Sequence, residues 1–458
     1  MHLSSKVEYI LDKLHSSNHP SYVVGGCVRD SLLGRQPKDW DICTAALPEE
    51  TEQCFDGYRI LETGLKHGTI TVLIDKEPFE ITTFREDGDY LDNRHPENVY
   101  FVRDVTSDLA RRDFTMNAIA YNPVDGFVDP FNGMQDIQDG IIRCVGNPYN
   151  RFNEDALRIL RALRFSAVYG FEIADETQEA IHSLKHLLHN ISAERIKVEL
   201  EKLICGANAL PVLLNYSDVV AEVIPELNPC IGNDHENKYH CYNIYDHIAH
   251  AVHNYEGTDP IIKWALLLHD IGKPECKTYI KHHGESDGYA HYYKHQVVSA
   301  RMAAEVLDRL RFDTDSKRKI LQLVEFHDYT FTPTEAAVKH VLNKFGEEQA
   351  ERLFQVRWAD ISAHTPDSLT AMQEKVYASY ELMHELLKEK PCFTLKDLAV
   401  KGNDLISLGM EPGKLMGECL HDCLEAVMNG EVSNDRGVLM EWAGKWMDEH
   451  SLVSDLDI

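Results

Sequence analysis

Several patterns are absent from this sequence, and each absence excludes a class of protein. No apolar run reaches the roughly 18 residues that a membrane-spanning helix needs. The 11 cysteines form no Cys-x-x-Cys pair, which argues against a disulfide framework and a zinc knuckle. The first residues show the spacing of an amphipathic helix instead of a signal peptide. We therefore expect a protein of the reducing cytoplasm with no membrane partner. The apolar residues of this N-terminal helix are Leu3, Val7, Ile10, Leu11 and Leu14.

An excess of basic residues is also lacking, because 46 lysines and arginines stand against 75 aspartates and glutamates, for a formal net charge of −29. Such a chain does not coat nucleic acid non-specifically through phosphate contacts. It remains compatible with a local basic track, although solvated helix faces are the favoured explanation of the candidate groups. These groups are Arg195 with Lys197, and Arg311 with Lys317, Arg318 and Lys319.

The pattern of apolar residues changes once along the chain. Its 458 residues predict two to four domains. Residues 20 to 145 contain short runs of β-forming residues, several with the alternation of half-buried strands. From about residue 150 apolar residues recur at helical spacing, and Gly170 and Gly206 are typical helix ends, while Ser192 is typical of an N-cap. The fold class is therefore α+β, with a small head that contains a mixed sheet and a long helical body.

The segment "GGCVRDSLLGRQPKDWDICT" is the first candidate site. Asp39 and Asp41 alternate on a strand-like run, which places both carboxylates on one face. Their mutual repulsion favours a shared cation, and hard oxygen ligands suit Mg²⁺ bound with substrate phosphates. Gly25 and Gly26 leave backbone donors open where a helix begins beside Arg29, which is typical of a phosphate site. This spacing predicts two-metal chemistry at a nucleotide.

These motifs resemble the tRNA nucleotidyltransferase and poly(A) polymerase family, within the DNA polymerase β superfamily. The resemblance continues through "FEITTFREDGDYLDNRHP", "DLARRDFTMNAIAYN", "NEDALRILRALRFSA" and "SAERIKVEL". It implies that Asp39 and Asp41 bind the catalytic Mg²⁺, and that Gly26, Arg29 and Arg112 contact the nucleotide. Glu80 could assist deprotonation of the primer hydroxyl, although a solvent-facing edge-strand glutamate is as good an explanation. For Arg112 the alternative is a salt bridge to Asp113 or Asp108.

The resemblance also implies where the incoming base is chosen. We predict a helix over residues 154 to 165 that carries Asp155, Arg158, Arg161 and Arg164. Cytosine and adenine each present an amino donor beside a ring-nitrogen acceptor, whereas guanine and uracil present the reverse order. A carboxylate beside a guanidinium therefore pairs with C and A. Asp155 and Arg158 are the predicted pair, with Arg161 and Arg164 supporting it or holding phosphate. The alternative is an acid–arginine ladder that stabilises the helix.

A second candidate site lies in the helical body. His247, the pair His269-Asp270 and Asp360 each lie on a helical apolar pattern, and together they resemble the metal ligands of an HD domain, a helical phosphohydrolase module. His295 and His327 match two further positions, used for a second metal or for phosphate. The alternative is a structural cluster without metal. The pair His421-Asp422 has no partner in the same register and is predicted to be helix surface.

The leading hypothesis is an enzyme that adds C, C and A to the 3′ end of tRNA from CTP and ATP. The alternatives are an A-adding or poly(A)-adding relative, and an HD phosphohydrolase that acts on RNA 3′ phosphates with a nucleotide-binding head. The stretch "REDGDYLDNRHP" resembles a flexible loop of full CCA-adding members and favours the first. We expect RNA to be held by residues 170 to 235 and 366 to 458 through phosphates and shape. The predicted domains are a nucleotidyltransferase head (1–150), a neck (151–235), an HD domain (236–365) and a tail (366–458).

Overall fold

The computed structural model describes residues 1–65, 68–88, 98–281 and 284–454. The chain folds into two compact units. The first contains Met1–Asn228 and Val306–Arg311, and the second contains Pro229–Glu305 and Phe312–Ile458. This division is coarser than the four predicted domains, whose borders at residues 150, 235 and 365 stay predictions.

The first unit is built around a mixed sheet in the order β3-β4-β5-β2-β1-β8-β9. β1 is antiparallel to β2 and β8, while β2 is parallel to β5, with Asp41 opposite Glu80. All four residues of β1 are buried, and β4 alternates between buried and half-buried residues, as predicted for half-buried strands. The strands are β1 (Ser21–Val24), β2 (Asp41–Thr44), β3 (Arg59–Gly64), β4 (Thr69–Ile74), β5 (Glu77–Thr83), β6 (Arg85–Asp87), β7 (Val99–Phe101), β8 (Ala120–Asn122), β9 (Gly126–Val128), β10 (Ile141–Ile142) and β11 (Glu172–Ile173).

Helices pack against this sheet and continue after it. The predicted N-terminal helix is present as α1, whose apolar residues are buried. The helices of this unit are α1 (Ser5–Ser16), α2 (Gly26–Leu32), α3 (Pro48–Cys54), α4 (Val105–Ala110), α5 (Gly133–Asp139), α6 (Pro148–Glu154), α7 (Leu157–Tyr169), α8 (Asp175–Leu184), α9 (Ala193–Ile204), α10 (Ala209–Asn215) and α11 (Ser217–Val223). Short 3₁₀ helices cover Thr115–Asn117, Lys185–Asn190 and Pro225–Cys230.

The predicted continuous helix over residues 154 to 165 is wrong at its start. α6 ends at Glu154 and α7 begins at Leu157, while Asp155 between them is extended, with φ −138° and ψ 102°. The Asp155 carboxylate accepts a hydrogen bond of 3.1 Å from the Leu157 amide. This local side-chain bond competes with helix continuation. Two other predicted helix boundaries are confirmed, because α7 ends just before Gly170 and α9 begins just after Ser192.

From residue 244 onward the described chain is helical, as predicted for the body. The helices are α12 (Ile244–Asn254), α13 (Pro260–Leu268), α14 (Lys273–Cys276), α15 (His295–Arg309), α16 (Thr314–Phe326), α17 (Glu335–Phe345), α18 (Glu347–Ile361), α19 (Pro366–Lys388), α20 (Gly402–Ser407), α21 (Lys414–Met428) and α22 (Arg436–Ser454). A sheet-containing head followed by helices confirms the α+β fold class.

Two predicted absences can be compared with the described residues. The eleven cysteines, all of which lie within them, are free thiols. None of the described helices combines the length and the apolar character needed to cross a membrane.

Candidate active site and candidate metal centre

Three acidic residues lie near the start of β2. Asp41 is the first residue of β2, Asp39 lies two residues earlier, and Glu80 of β5 is paired with Asp41 in the sheet. All three residues keep exposed surface. Partial burial of the Asp41 carboxyl is the main cause that raises its pKa, Asp39 raises it further, and Arg112 opposes both. Acidic side chains grouped in this way form a donor set that suits a hard divalent cation.

The glycine turn before this strand holds Arg112 against the backbone. Gly25 has φ +78°, and a Cβ there would lie 2.9 Å from Nη1 of Arg112, so both conformation and space require glycine. α2 begins at Gly26, as the sequence predicts. Burial alone would lower the pKa of the Arg112 guanidinium, but Asp108 and Asp41 raise it. Arg112 donates to Asp108 at 3.3 Å, which is one of the two salt bridges that we considered.

Arg29 is held rigidly beside the turn. It is buried, and its Nη1 donates to Oδ1 of Asn117 at 2.6 Å. Its guanidinium lies 5.1 Å from the ring centroid of Phe165 and 4.8 Å from that of Tyr169. Arg29 therefore links the start of α2 to α7.

A polar network extends from Arg29 to Arg161. Asn117 donates to Asp113 at 3.0 Å, and Nε of Arg161 donates to the same carboxylate at 2.8 Å. Burial would raise the pKa of Asp113, but Arg161 and Asn117 hold it well below its usual range. The sequence analysis did not identify Asn117 or Asp113 as site residues, because only tertiary contacts connect them to Arg29 and Arg161.

These groups line a cavity of about 550 Å³. It brings together six predicted site residues, which are Gly26, Arg29, Asp41, Arg112, Arg161 and Arg164. Phe165, Tyr169 and Lys202 also line it. The cavity therefore combines a carboxylate, several fixed cations and aromatic walls, which is a composition that suits a nucleotide.

The structure does not place Asp155 and Arg158 side by side as the predicted base-reading pair. Asp155 accepts a hydrogen bond of 2.9 Å from Nη2 of Arg195 on α9. Arg158 is buried, and it donates to Glu154 at 2.5 Å and to the carbonyl of Arg111 at 3.0 Å. Their role in base choice stays a prediction. The predicted flexible loop lies largely outside the described residues.

The second site is a cluster of imidazoles around two buried aspartates. Its members come from α12, α15 and α18 and from the residues that follow α13 and α16. Nε2 of His269 lies 3.1 Å from Asp270, and Nε2 of His247 lies 3.0 Å from Asp360 and 3.3 Å from Asp270. We call this set the histidine–aspartate centre. It consists of His247, His269, Asp270, His295, His327 and Asp360.

Asp270 joins two potential ligand groups within this centre. Its Oδ2 faces His247 and His269, while its Oδ1 lies 3.3 Å from Nε2 of His295 and 3.6 Å from that of His327. Each group places its ligand atoms close enough to share one ion. In the described chain, neither Asp270 oxygen has a hydrogen-bond partner of acceptable geometry, although Nζ of Lys273 lies 2.6 Å from Oδ2. A buried carboxylate in this condition fits a site built for metal.

Backbone contacts fix the orientation of the imidazoles. Nδ1 of His269 lies 2.7 Å from the carbonyl of Leu266, and Nδ1 of His295 and His327 make equivalent contacts of 2.8 Å. Donation from Nδ1 leaves Nε2 as the ligand atom. Burial would lower the pKa of His269, but Asp270 and Asp360 raise it to about 10. The metal-free centre therefore holds a proton that a metal would displace.

Further residues of this centre were not predicted. Nζ of Lys273 lies 2.6 Å from Asp270 and 3.1 Å from Nε2 of His235, and Nη1 of Arg357 lies 2.8 Å from Asp360. His240 and His364 also surround it. Lys273 follows the His-Asp pair by three residues, which was an available signal. The predicted decoy His421-Asp422 lies exposed on α21.

Comparison with known proteins agrees with this layout. Residues 21–143 match the poly A polymerase head domain, residues 170–231 match the RNA and SrmB-binding site of polymerase A, and residues 293–443 match domain 2 of tRNA nucleotidyltransferases.

Relatives match over almost the whole chain. The CCA-adding enzyme of Leuconostoc mesenteroides is 32% identical over 96% of this chain and 96% of its own. That of Geobacillus stearothermophilus is 34% identical over 94% and 95%. The crystal structure of the Bacillus stearothermophilus CCA-adding enzyme in complex with CTP has 30% identity and a TM-score of 0.70, and the match covers 97% of this chain and 98% of that one. With this similarity extending over both units, the chain belongs to the CCA-adding enzyme family of nucleotidyltransferases.

Proposed function

We propose that this protein adds C, C and A to the 3′ end of tRNA from CTP and ATP, with release of pyrophosphate. The proposal depends mainly on one observation: Asp41, Arg112, Arg161 and Arg164 line the same cavity. A hydroxyl nucleophile and a triphosphate need a metal-binding carboxylate and fixed cations at one place. Full-length relatives named CCA-adding enzymes support the choice of substrate.

The acidic and the basic residues of the head have different proposed roles. Asp39 and Asp41 would hold Mg²⁺, which when bound neutralises phosphate charge and favours the ionised primer hydroxyl. Arg112, Arg161 and Arg164 face the cavity and stabilise the negative charge of the triphosphate. Glu80, which is paired with Asp41 in the sheet, would accept the hydroxyl proton.

Base choice is assigned to Asp155 and Arg158. Reading the Watson–Crick edge of C or A requires Asp155 to accept from the exocyclic amino group and Arg158 to donate to the ring nitrogen. Asp155 must therefore exchange its bond with Arg195, and Arg158 its bond with Glu154, when a nucleotide binds. Without a nucleotide, Asp155 is bonded to Arg195 and Arg158 is bonded to Glu154.

A primer-extension experiment tests the reaction. The protein is incubated with Mg²⁺ and tRNAs that lack CCA, CA or A, with CTP and ATP offered singly and together, and product lengths are read. We expect each tRNA to be completed to CCA when both nucleotides are present. Addition of A only to the CC-ended tRNA would favour the A-adding alternative, and long A tails would favour the poly(A)-adding one.

A second activity is favoured by the histidine–aspartate centre. Asp270 is completely buried, faces four imidazoles and lies 2.6 Å from Nζ of Lys273, and this concentration of ligand atoms exceeds what a structural cluster needs. We assign this centre to hydrolysis of phosphomonoesters or cyclic phosphodiesters at RNA 3′ ends. Divalent metal, when bound, would lower the pKa of a water molecule and polarise the phosphoryl group. His247, His269, Asp270 and Asp360 would hold it, and Lys273 and Arg357 supply fixed positive charge beside the phosphate.

Metal analysis separates this activity from the alternative of a metal-free cluster. We expect the wild-type protein to retain divalent metal after dialysis and His269→Ala to lose it. Equal metal content in both proteins would refute the assignment. Hydrolysis of nucleoside 2′,3′-cyclic phosphate by the metal-loaded wild-type protein then tests the reaction itself.

A further inference from the structure

A cavity of about 410 Å³ opens beside the histidine–aspartate centre. His295, His327 and Asp360 of the centre line it together with Lys273 and Arg357. Tyr239, His291 and Tyr293, which have no part in the metal centre described above, also line it. Cations that suit a phosphate and aromatic rings that suit a flat apolar group therefore share one cavity.

Tyr239 is exposed although its backbone is fixed. Its ring belongs to a residue that is 44% exposed. Its amide donates to Oδ1 of Asn237 at 3.0 Å, and its carbonyl accepts from the amide of Thr365 at 2.9 Å. An isolated β-bridge between Asp234 and Asn243 closes the segment that carries it. A large aromatic side chain that a fixed backbone presents to solvent has little entropy to lose when a ligand stacks on it.

A second aromatic surface is preorganised within the segment from residue 291 to residue 293. The rings of His291 and Tyr293 are nearly parallel, at 3° between planes and 5.5 Å between centroids. The backbone of His291 is bonded to Thr278 by two hydrogen bonds of 2.7 and 3.0 Å. Tyr292, between them, points its hydroxyl to the carbonyl of His235 at 2.7 Å. All three residues line the cavity.

We infer that the cavity recognises a nucleobase on Tyr239 and Tyr293, so that the ligand of the histidine–aspartate centre is a nucleoside phosphoester and not a base-free one. This inference rests on the proposed second activity and adds the residues that recognise the base of its substrate. A base stacks on the aromatic side chains while the phosphate lies towards Lys273 and the imidazoles. The same chemistry is offered by a free mononucleotide and by the terminal nucleotide of an RNA.

A binding experiment on metal-free protein tests the inference without relying on catalysis. Met372 also lines the cavity, so its ¹³C-labelled methyl group, assigned with Met372→Leu, reports this site and not the nucleotide cavity of the head. The full chain in EDTA is titrated with adenosine 3′-phosphate, with glycerol 2-phosphate, and with an RNA oligonucleotide that ends in a 3′-phosphate. We expect the adenosine compound to bind at least about tenfold more tightly than the glycerol compound, because a stacked base contributes to affinity.

Variants identify the stacking residues. Tyr239→Leu and Tyr293→Leu should each lower the affinity for adenosine 3′-phosphate by about tenfold. The affinity for glycerol 2-phosphate should not change. Tyr289→Leu is the matched control, since Tyr289 is 46% exposed on the same unit and is not a cavity-lining residue of the described chain. Tighter binding of the RNA than of the mononucleotide would identify an RNA end as the source of the ligand. Equal binding of the base-free compound, equal loss of both ligands in the variants, or no methyl shift with any ligand would overturn the inference.

Phosphate release by the metal-loaded protein separates this inference from the proposed activity. Site binding of the nucleotide without hydrolysis of either compound would refute the hydrolase and leave base recognition standing. Hydrolysis of both compounds with the same kcat/KM would support the hydrolase and refute base recognition. Hydrolysis of adenosine 3′-phosphate with a higher kcat/KM, reduced in Tyr239→Leu, is the result that we expect.

Discussion

The cavity of the head and the histidine–aspartate centre both contain aspartates, but the burial and the partners of these aspartates differ. In the head, Asp39, Asp41 and Glu80 keep exposed surface, and the arginines around them are largely paired with other carboxylates. In the second unit, Asp270 is completely buried and faces imidazoles from several helices. An accessible set of acids can accept metal together with a triphosphate, whereas a buried set is suited to metal that is held independently of the substrate. The difference indicates transient metal in the head and resident metal in the histidine–aspartate centre.

The largest expected effect is a loss of nucleotide addition that leaves the histidine–aspartate centre unchanged. Asp41→Asn should reduce addition of C and A by at least about a thousandfold, because it removes a metal-binding charge at the reacting phosphate. Divalent metal retained by the second unit should not change. Incorporation of labelled CTP and elemental analysis measure the two quantities, with exposed Asp56→Asn as the control. Retained addition in Asp41→Asn would place the chemistry elsewhere.

The converse variant is Asp270→Asn. Loss of the carboxylate that faces both ligand groups should weaken metal binding to the second unit by at least about a hundredfold. Nucleotide addition to tRNA should remain at the wild-type rate. Asp422→Asn is a matched control, because it alters the exposed His-Asp pair on α21. Equal metal affinity in Asp270→Asn and Asp422→Asn would contradict the assignment of the centre.

Asp113→Asn tests whether the buried ion pair of the head contributes to stability. It should lower the free energy of unfolding by about 2–3 kcal/mol at neutral pH, less than a fully buried pair because Arg161 is partly exposed. The folded-state pKa of Asp113 lies below its unfolded value. The contribution is therefore present above the ordinary carboxyl pKa and is lost as the pH falls through the folded value. Urea unfolding at neutral and acidic pH should show the two proteins converging in acid, and a constant difference would contradict this origin.

Base discrimination is expected to change less. Asp155→Ala should lower the preference for CTP and ATP over UTP and GTP by about tenfold, since one hydrogen-bonding group of the reading pair is lost. It should lower metal binding to a smaller extent. Competition between nucleotides on a tRNA that lacks CCA measures the preference. Arg195→Lys provides a comparison in which the carboxylate stays but its present partner changes. Unchanged nucleotide preference in Asp155→Ala would refute the role.

The smallest expected effect is the release of a proton when the histidine–aspartate centre binds metal. Because the pKa of His269 is raised to about 10 in the metal-free centre, this imidazole is protonated near neutral pH and must release its proton to bind metal. Metal affinity should therefore rise with pH below that value. Calorimetry in buffers of different ionisation enthalpy should show release of at least about one proton near neutral pH. Metal binding by the wild-type protein without proton release would contradict this expectation.

Local patterns predicted much of this molecule correctly. The start of α2 at Gly26, the end of α7 before Gly170 and the pairing of "PFEITTF" next to Asp41 follow from glycine conformation and strand alternation. The start of α7 could not be predicted in this way, because the Asp155 carboxylate bonds the Leu157 amide in place of helix continuation. His235, His240 and His364 were not predicted because the 24 histidines offer many candidate metal ligands, and no local spacing distinguishes these three.

Residue types and their order determined the family resemblance, the acidic character and the two sets of ligands, since these depend on short spacings such as Asp39–Asp41 and His269-Asp270. Partner choice was decided only by the tertiary structure. Asp155 bonds Arg195 forty residues away, and Asp270 faces His295 and His327 from other helices. A charged side chain takes whichever partner the packed helices bring within reach, and the spacing along the chain does not contain that distance.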